Sequence, residues 1–192
     1  MRQYAPGVIM ASETDRQGGN NELRDTPDGG RSQGDARPQA SPHLRLRRRD
    51  LPQPLKLPAD ALPAAYEGDR PYGSALYFLV APDAQIVMHR IRSDQFYHHY
   101  MGDPLEVLML YPDGTGAVAV VGTELTAGER PQLFVPGGTF HTSRLAPGDC
   151  GYALLASTEW PGVEPPDVEH GDVEALVEAY PEMGEQIRAF TV

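Results

Sequence analysis

Cysteine is almost missing: Cys150 is the single one in 192 residues. One thiol excludes an intrachain disulfide and cysteine-based zinc sites. It makes a reducing cytoplasm the expected compartment. Long apolar runs are missing too, and no stretch of the 18 residues that a membrane helix needs is present. The first thirty residues lack the basic start, apolar centre and small-residue cleavage site of a secretory signal. Lysine is nearly absent, with Lys56 alone beside fifteen arginines, which reads as the codon bias of a GC-rich genome. Glycine (20) and proline (19) are plentiful but unperiodic, which excludes collagen and long coiled coils.

The net charge of −11 is unevenly spread. Residues 1–50 carry +2, and residues 51–192 carry −13. A phosphate-binding surface needs a basic footprint, so nucleic acid is not an expected partner, and neither is a membrane.

Residues 1–50 form the expected disordered tail. From Ser12 to Ser41 the only large aliphatic residue is Leu23, too little apolar surface to offset chain entropy. Arg45, Arg47, Arg48 and Arg49 close it with a basic knot, read as a solvated linker in preference to a docking patch. Residues 51–192 make the folded domain. Its lead-in, with Pro52, Pro54, Pro58, Pro63 and Pro71, reads as an extended arm.

From Tyr72 the pattern is β. Short strands are expected at 74–80, 85–92, 95–101, 105–111, 117–121, 132–135, 140–145 and 152–158. Gly, Pro and Asp turns such as Gly102-Asp103-Pro104 and Pro136-Gly137-Gly138 separate them. The spacing predicts an antiparallel sandwich or small barrel. Near the end, Asp172 can cap a helix with Val173, Leu176, Val177 and Tyr180 on one face. Pro181 opens a second short helix with Ile187 and Phe190 inward.

Two spacings carry chemical information. Gln95 stands seven residues before Gly102, and Pro136, Gly138 and His141 form P-x-G-x-x-H. Both resemble the two short motifs of cupins, small double-sheet β-barrels in which the final histidine of the second motif is a ligand in metal-binding members. The resemblance narrows over residues 74–192 to a small cupin subfamily long described only as a domain of unknown function. It rests on His89-Arg90, Ser93-Asp94, Tyr97-His98-His99-Tyr100, Gly102-Asp103-Pro104-Leu105-Glu106, Gly128-Glu129-Arg130-Pro131-Gln132, Val135-Pro136, Pro161-Gly162 and Tyr180-Pro181-Glu182. It implies an all-β fold, the cupin double-stranded β-helix or jelly-roll barrel, with short C-terminal helices. It also implies a fold like that of sugar-nucleotide epimerases and germin-like proteins, and a homodimer.

The departures from the subfamily pattern are specific. Its usual tryptophan is Met88, its usual glutamate is Gln95, its Trp-His-Phe is Tyr97-His98-His99, and its Trp-Gln is Phe140-His141. The pocket gains histidines and loses a carboxylate and indoles. Strand alternation from Gln95 turns Tyr97, His99 and Met101 inward and His98 outward. The candidate catalytic residues are His89, Tyr97, His99 and His141; the candidate substrate contacts are Arg90, Gln95, Met101 and Gln132.

Three readings stay open. The favoured one is an isomerase, epimerase, cyclase or lyase doing His/Tyr acid–base chemistry on a carbonyl substrate, in specialised metabolism. The second is an oxygenase with a divalent metal (iron, nickel, manganese or zinc) on His89, His99 and His141, with Gln95 as a weak fourth ligand. The third is a non-catalytic binding module. Arg90 and Arg92 suit an anionic group, with pairing to Asp94 or Glu106 as the alternative. Cys150, His43 and His170 receive no role.

Overall fold

The computed structural model describes residues 55–191 except Ala65, Asp83 and Gln85, together with the backbone of 47–49. The tail expected over residues 1–50 therefore lies, apart from that short backbone stretch, outside the described residues, as does His43.

The strands are β1 (Arg47–Arg49), β2 (Lys56–Leu57), β3 (Arg70–Pro71), β4 (Ser74–Val80), β5 (His89–Ile91), β6 (Asp94–Gly102), β7 (Leu105–Leu110), β8 (Gly116–Val121), β9 (Gln132–Val135), β10 (Phe140–Leu145), β11 (Ala153–Trp160) and β12 (Val168–His170). Helices α1 (Val173–Ala179) and α2 (Gly184–Phe190) follow. Among the described residues ten of these strands build two five-stranded sheets, ordered β1-β4-β11-β6-β9 and β12-β5-β10-β7-β8, and β2 pairs with β3. Every ladder within them is antiparallel. Non-sequential neighbours in both sheets give the expected jelly roll.

Alternation explains the layering. On β4, Ser74, Phe78 and Val80 are buried while Tyr77 is exposed. Strand β7 (LEVLML) buries both faces. Leu105, Val107 and Met109 join the core between the sheets with Phe78, Val80, Tyr97, Val121, Val135 and Leu155. Leu108 and Leu110 point the other way, into a second core with Met88, Phe140, Leu176, Ile187 and Phe190. The helices thus cover the outside of the second sheet. Each fully buried aliphatic side chain contributes roughly 1.5–3 kcal/mol.

Asp172 caps α1 by accepting from the Ala175 amide at 2.9 Å, as its position predicts. Arg188 of α2 grips Glu174 of α1 at 2.6 and 2.8 Å. Gly102 has φ +91°, and a Cβ there would stand 2.1 Å from the Tyr152 carbonyl oxygen. That turn between β6 and β7 requires glycine.

Two expected elements differ. The strand expected over 85–92 pairs only from His89 to Ile91. Ahead of it the backbone oxygens are claimed from elsewhere: Ile86 accepts from the Thr142 hydroxyl and Met88 from the Gly171 amide. His170, expected in a loop, lies on β12 opposite His89. The Trp160–Pro161 peptide is cis.

Candidate functional site

The P-x-G-x-x-H turn hands the chain from β9 to β10. Gly137 packs so close to β5 that a Cβ would meet the Arg92 carbonyl oxygen at 2.4 Å. This delivers His141 to the inner face of β10, where its side chain is fully buried. His141 is the register partner of His89 on β5, and the two rings lie 4.3 Å apart. Tyr97, on β6 of the opposite sheet, meets the His141 ring edge-on at 5.9 Å.

Hydrogen bonding fixes the His141 tautomer. Its Nδ1 lies 3.1 Å from the Thr139 carbonyl oxygen, which can only accept, so Nδ1 carries the proton. Nε2 then accepts from the Gln95 amide nitrogen at 2.8 Å. Burial holds the imidazolium form well below the usual histidine range, and the neighbouring His89 adds to this; the bond to Thr139 opposes them. His141 is therefore a neutral imidazole. His89 is half-buried and donates from Nδ1 to the Val87 carbonyl at 2.8 Å. Its Nε2 is the basic nitrogen of the ring.

Behind Gln95 lies a carboxylate that the sequence reading missed. Glu159 on β11 is the cross-strand partner of Gln95 and is 4% exposed. It accepts from the Ser74 hydroxyl and lies within hydrogen-bond reach of the Ser157 hydroxyl, and Ser74 in turn accepts from the Val163 amide at 3.2 Å. Ser157 Oγ is 3.3 Å from Gln95 Oε1. Among the described residues no cation pairs with Glu159. The signal for it was available: with Ala153 and Leu155 inward, period two puts Ser157 and Glu159 inward as well.

Among the described residues, three buried polar atoms have no partner: His99 Nδ1, Thr139 Oγ1 and Ser143 Oγ. Ser143, two residues after His141 on β10, shares its face, and Thr139 stands just before that strand with its carbonyl on His141 Nδ1. Buried polar atoms left over next to such a site are places for a ligand's polar groups.

The remaining predicted residues are dispersed. His99 is buried on the inner face, but its Nε2 lies 3.0 Å from the Asp103 carbonyl oxygen, at the far end of β6. Met101 points outward and is 52% exposed. The reason is a bulge: Leu155 pairs with His99 and Leu154 with Met101, so Tyr100 is an extra residue and the alternation breaks. Gln132 is exposed and caps the outward His98 at 3.2 Å. Arg90 forms a bidentate pair with Glu169, at 2.8 to 2.9 Å, and lies over the Phe140 ring. Glu106 takes Arg144 and Asp94 takes the Gly137 amide, so neither expected partner of Arg90 is used.

The donor set does not fit a divalent cation held by three imidazoles. His99 is turned to a backbone carbonyl, His141 Nε2 is occupied by an amide, and the residue opposite it is a neutral glutamine. Among the described residues no three His, Cys, Asp or Glu side chains converge on a cation position. What the site holds is an imidazole pair, a phenol, an amide and a buried carboxylate.

Comparison with known proteins agrees with this architecture. A hypothetical protein from Leishmania major superposes with TM-score 0.69 at 24% identity, over 78% of this chain and 90% of that one. Protein SO0799 from Shewanella oneidensis gives TM-score 0.63 at 27% identity, over 76% and 85%. The uncharacterized Saccharomyces cerevisiae protein YML079W is 30% identical over 98 residues, 50% of this chain. The match spans about half of that curated relative, 48% of its length. The family model described as Cupin superfamily (DUF985) matches residues 23–171. The chain belongs to that cupin family.

Proposed function

We propose that this cupin is a small-molecule enzyme of the acid–base type, an isomerase, epimerase, cyclase or lyase acting beside a carbonyl group. The observation that carries the reading is the His89–His141 pair: two imidazoles in contact at 4.3 Å with their planes tilted by 51°, the inner one neutral and fully buried. Like charges at that distance repel, so the pair holds one added proton at most. His89 takes a proton from the carbon beside the carbonyl through Nε2 and returns it to the product. Ser143 and Thr139 hydroxyls offer hydrogen bonds to the carbonyl oxygen as charge develops there. Tyr97 supplies the phenol on the other side of the ring pair. No comparable support exists for the three-imidazole oxygenase, because its ligands are not assembled.

The test is exchange rather than turnover. Chelator-treated protein is incubated in D2O with a panel of keto-sugars and 1,3-dicarbonyl compounds, and deuterium at the α-carbon is read by mass spectrometry. Enzyme-dependent exchange that His89→Ala abolishes supports the reading. Binding without exchange across the panel would leave a non-catalytic binding cupin. A role in specialised metabolism and a cytoplasmic location belong to the same reading. They are supported by the departures from the family pattern at Gln95, His99 and His141 and by the near absence of cysteine.

The reading includes a homodimer. The outer face of the first sheet carries Tyr77, Tyr100, Phe134 and Trp160, each more than two-fifths exposed, with Phe96 tilted against Phe134 at 5.0 Å and edge-on to Trp160 at 6.1 Å. Among the described residues the middle of this face is aromatic and uncharged, on a body carrying −13. A second acidic copy meets least repulsion there, and a shared apolar face suits a two-fold axis.

A further inference from the structure

Glu159 is a buried carboxyl group that the proposed chemistry does not use. It is 4% exposed and sits directly across the β11–β6 ladder from Gln95. The hydrogen bonds from it run in one line to the imidazole pair: Glu159 to Ser157, Ser157 to Gln95, Gln95 to His141.

The line has a built-in choice. Ser157 has one hydroxyl proton and two acceptors, Glu159 Oε1 and Gln95 Oε1. When Ser157 gives its proton to Gln95, the amide oxygen stays on the serine side. The amide nitrogen then faces His141, whose Nε2 accepts at 2.8 Å. When Ser157 gives its proton to Glu159, it presents only lone pairs to Gln95. The amide then turns over, with nitrogen to Ser157 and oxygen to His141. His141 Nδ1 is committed to the Thr139 carbonyl, so a His141 that faces an amide oxygen must donate from Nε2 as well. The turned-over amide is the arrangement that accommodates a proton on His141.

We infer that Glu159 is a positioning residue: through Ser157 it selects the orientation of the Gln95 amide, and thereby whether Nε2 of His141 accepts or donates. Glu159 touches no substrate in this scheme. The inference rests on the reading of His141 as part of the proton-handling pair, and its test is independent of turnover.

The experiment uses full-length, uniformly 15N-labelled protein without substrate. The readout is the nitrogen–nitrogen coupling across the Gln95 Nε2–H···Nε2 His141 hydrogen bond, together with the His141 ring 15N shifts. Glu159→Met removes the competing acceptor, and the coupling is expected to rise above wild type. Ser157→Ala removes the donor that holds the amide oxygen, and the coupling is expected to fall to less than half. Ser157→Thr keeps the hydroxyl and restores it. The 15N shifts of His98, on the outer face, serve as the internal reference and stay fixed. Opposite signs for the Glu159 and Ser157 variants are what a merely structural role does not produce. Unchanged coupling in both, or a fall in both, overturns the inference. Should Glu159→Met not fold, Ser157→Ala with its threonine rescue still decides: coupling kept in the alanine variant overturns it. Loss of exchange chemistry with this pattern intact would sink the proposed reaction and leave the relay standing.

Discussion

Arg70 and Asp167 are 97 residues apart in the chain and form a buried bidentate pair, Nε to Oδ2 at 2.7 Å and Nη2 to Oδ1 at 2.8 Å. The remaining guanidinium nitrogen takes the carbonyls of Glu67, Gly68 and Asp69, so the pair ties the arm before β4 to the turn before β12. Burial works against the Asp167 carboxylate, but the hydrogen bond and charge of Arg70 outweigh it and hold Asp167 below the usual range. Breaking such a pair from one side leaves a buried charge. Asp167→Asn is expected to lower stability by about 3–5 kcal/mol, read from denaturant unfolding. A depressed carboxyl pKa means that this contribution is present above the unfolded value near pH 4 and is lost as pH falls through the folded one. The deficit of the variant should therefore shrink in acid.

His141 gives a pH signature of the same sign, but in a higher pH window. Its imidazolium form is disfavoured in the folded protein, above all by burial. Below about pH 6.5 the unfolded chain binds a proton there that the folded chain refuses. Stability should fall with acid from that point, and His141→Gln should flatten this part of the curve. A flat wild-type curve between pH 7 and 5 would contradict the neutral, buried assignment.

Met101 and Tyr97 separate the sequence reading of the pocket from the folded one. Met101→Ala should leave ligand affinity within about twofold, because the residue is on the outer surface. Tyr97→Phe keeps the ring contact with Phe78 at 5.3 Å and removes only the hydroxyl. It should lower exchange rates by roughly 10²-fold or more if the phenol moves a proton. Parallel titrations and D2O exchange check both.

The helical cover is part of the fold. Ile187 is fully buried against the second sheet. Ile187→Ala should cost about 2–5 kcal/mol by cavity formation, measured by thermal and denaturant unfolding.

The aromatic outer face predicts its own loss of function in assembly. Trp160→Glu and Phe134→Glu put charge into the exposed aromatic cluster. Sedimentation should report a shift from dimer to monomer with the fold retained. A monomeric wild type would remove that face from consideration.

Much of this was legible without coordinates. The two motif spacings located Gln95 and His141, and alternation placed Tyr97 inward, because strand period and turn chemistry are local properties. Alternation failed at Met101, where an unpaired residue in β6 reverses it, and a bulge is visible only against the partner strand. Arg90 and Gln132 suit a ligand pocket by residue type alone. Their partners, Glu169 and His98, are distant in sequence.

The order of the amino acids by itself determined the strand and turn pattern, the two short C-terminal helices and the identity of the chemical groups, since each depends on neighbours a few residues away. Tertiary structure alone decided which groups meet. It set His89 against His141 and Glu159 opposite Gln95, and it sent His99 to a backbone carbonyl. Those outcomes depend on which strands pair and in what register, and register is fixed by the whole buried core at once.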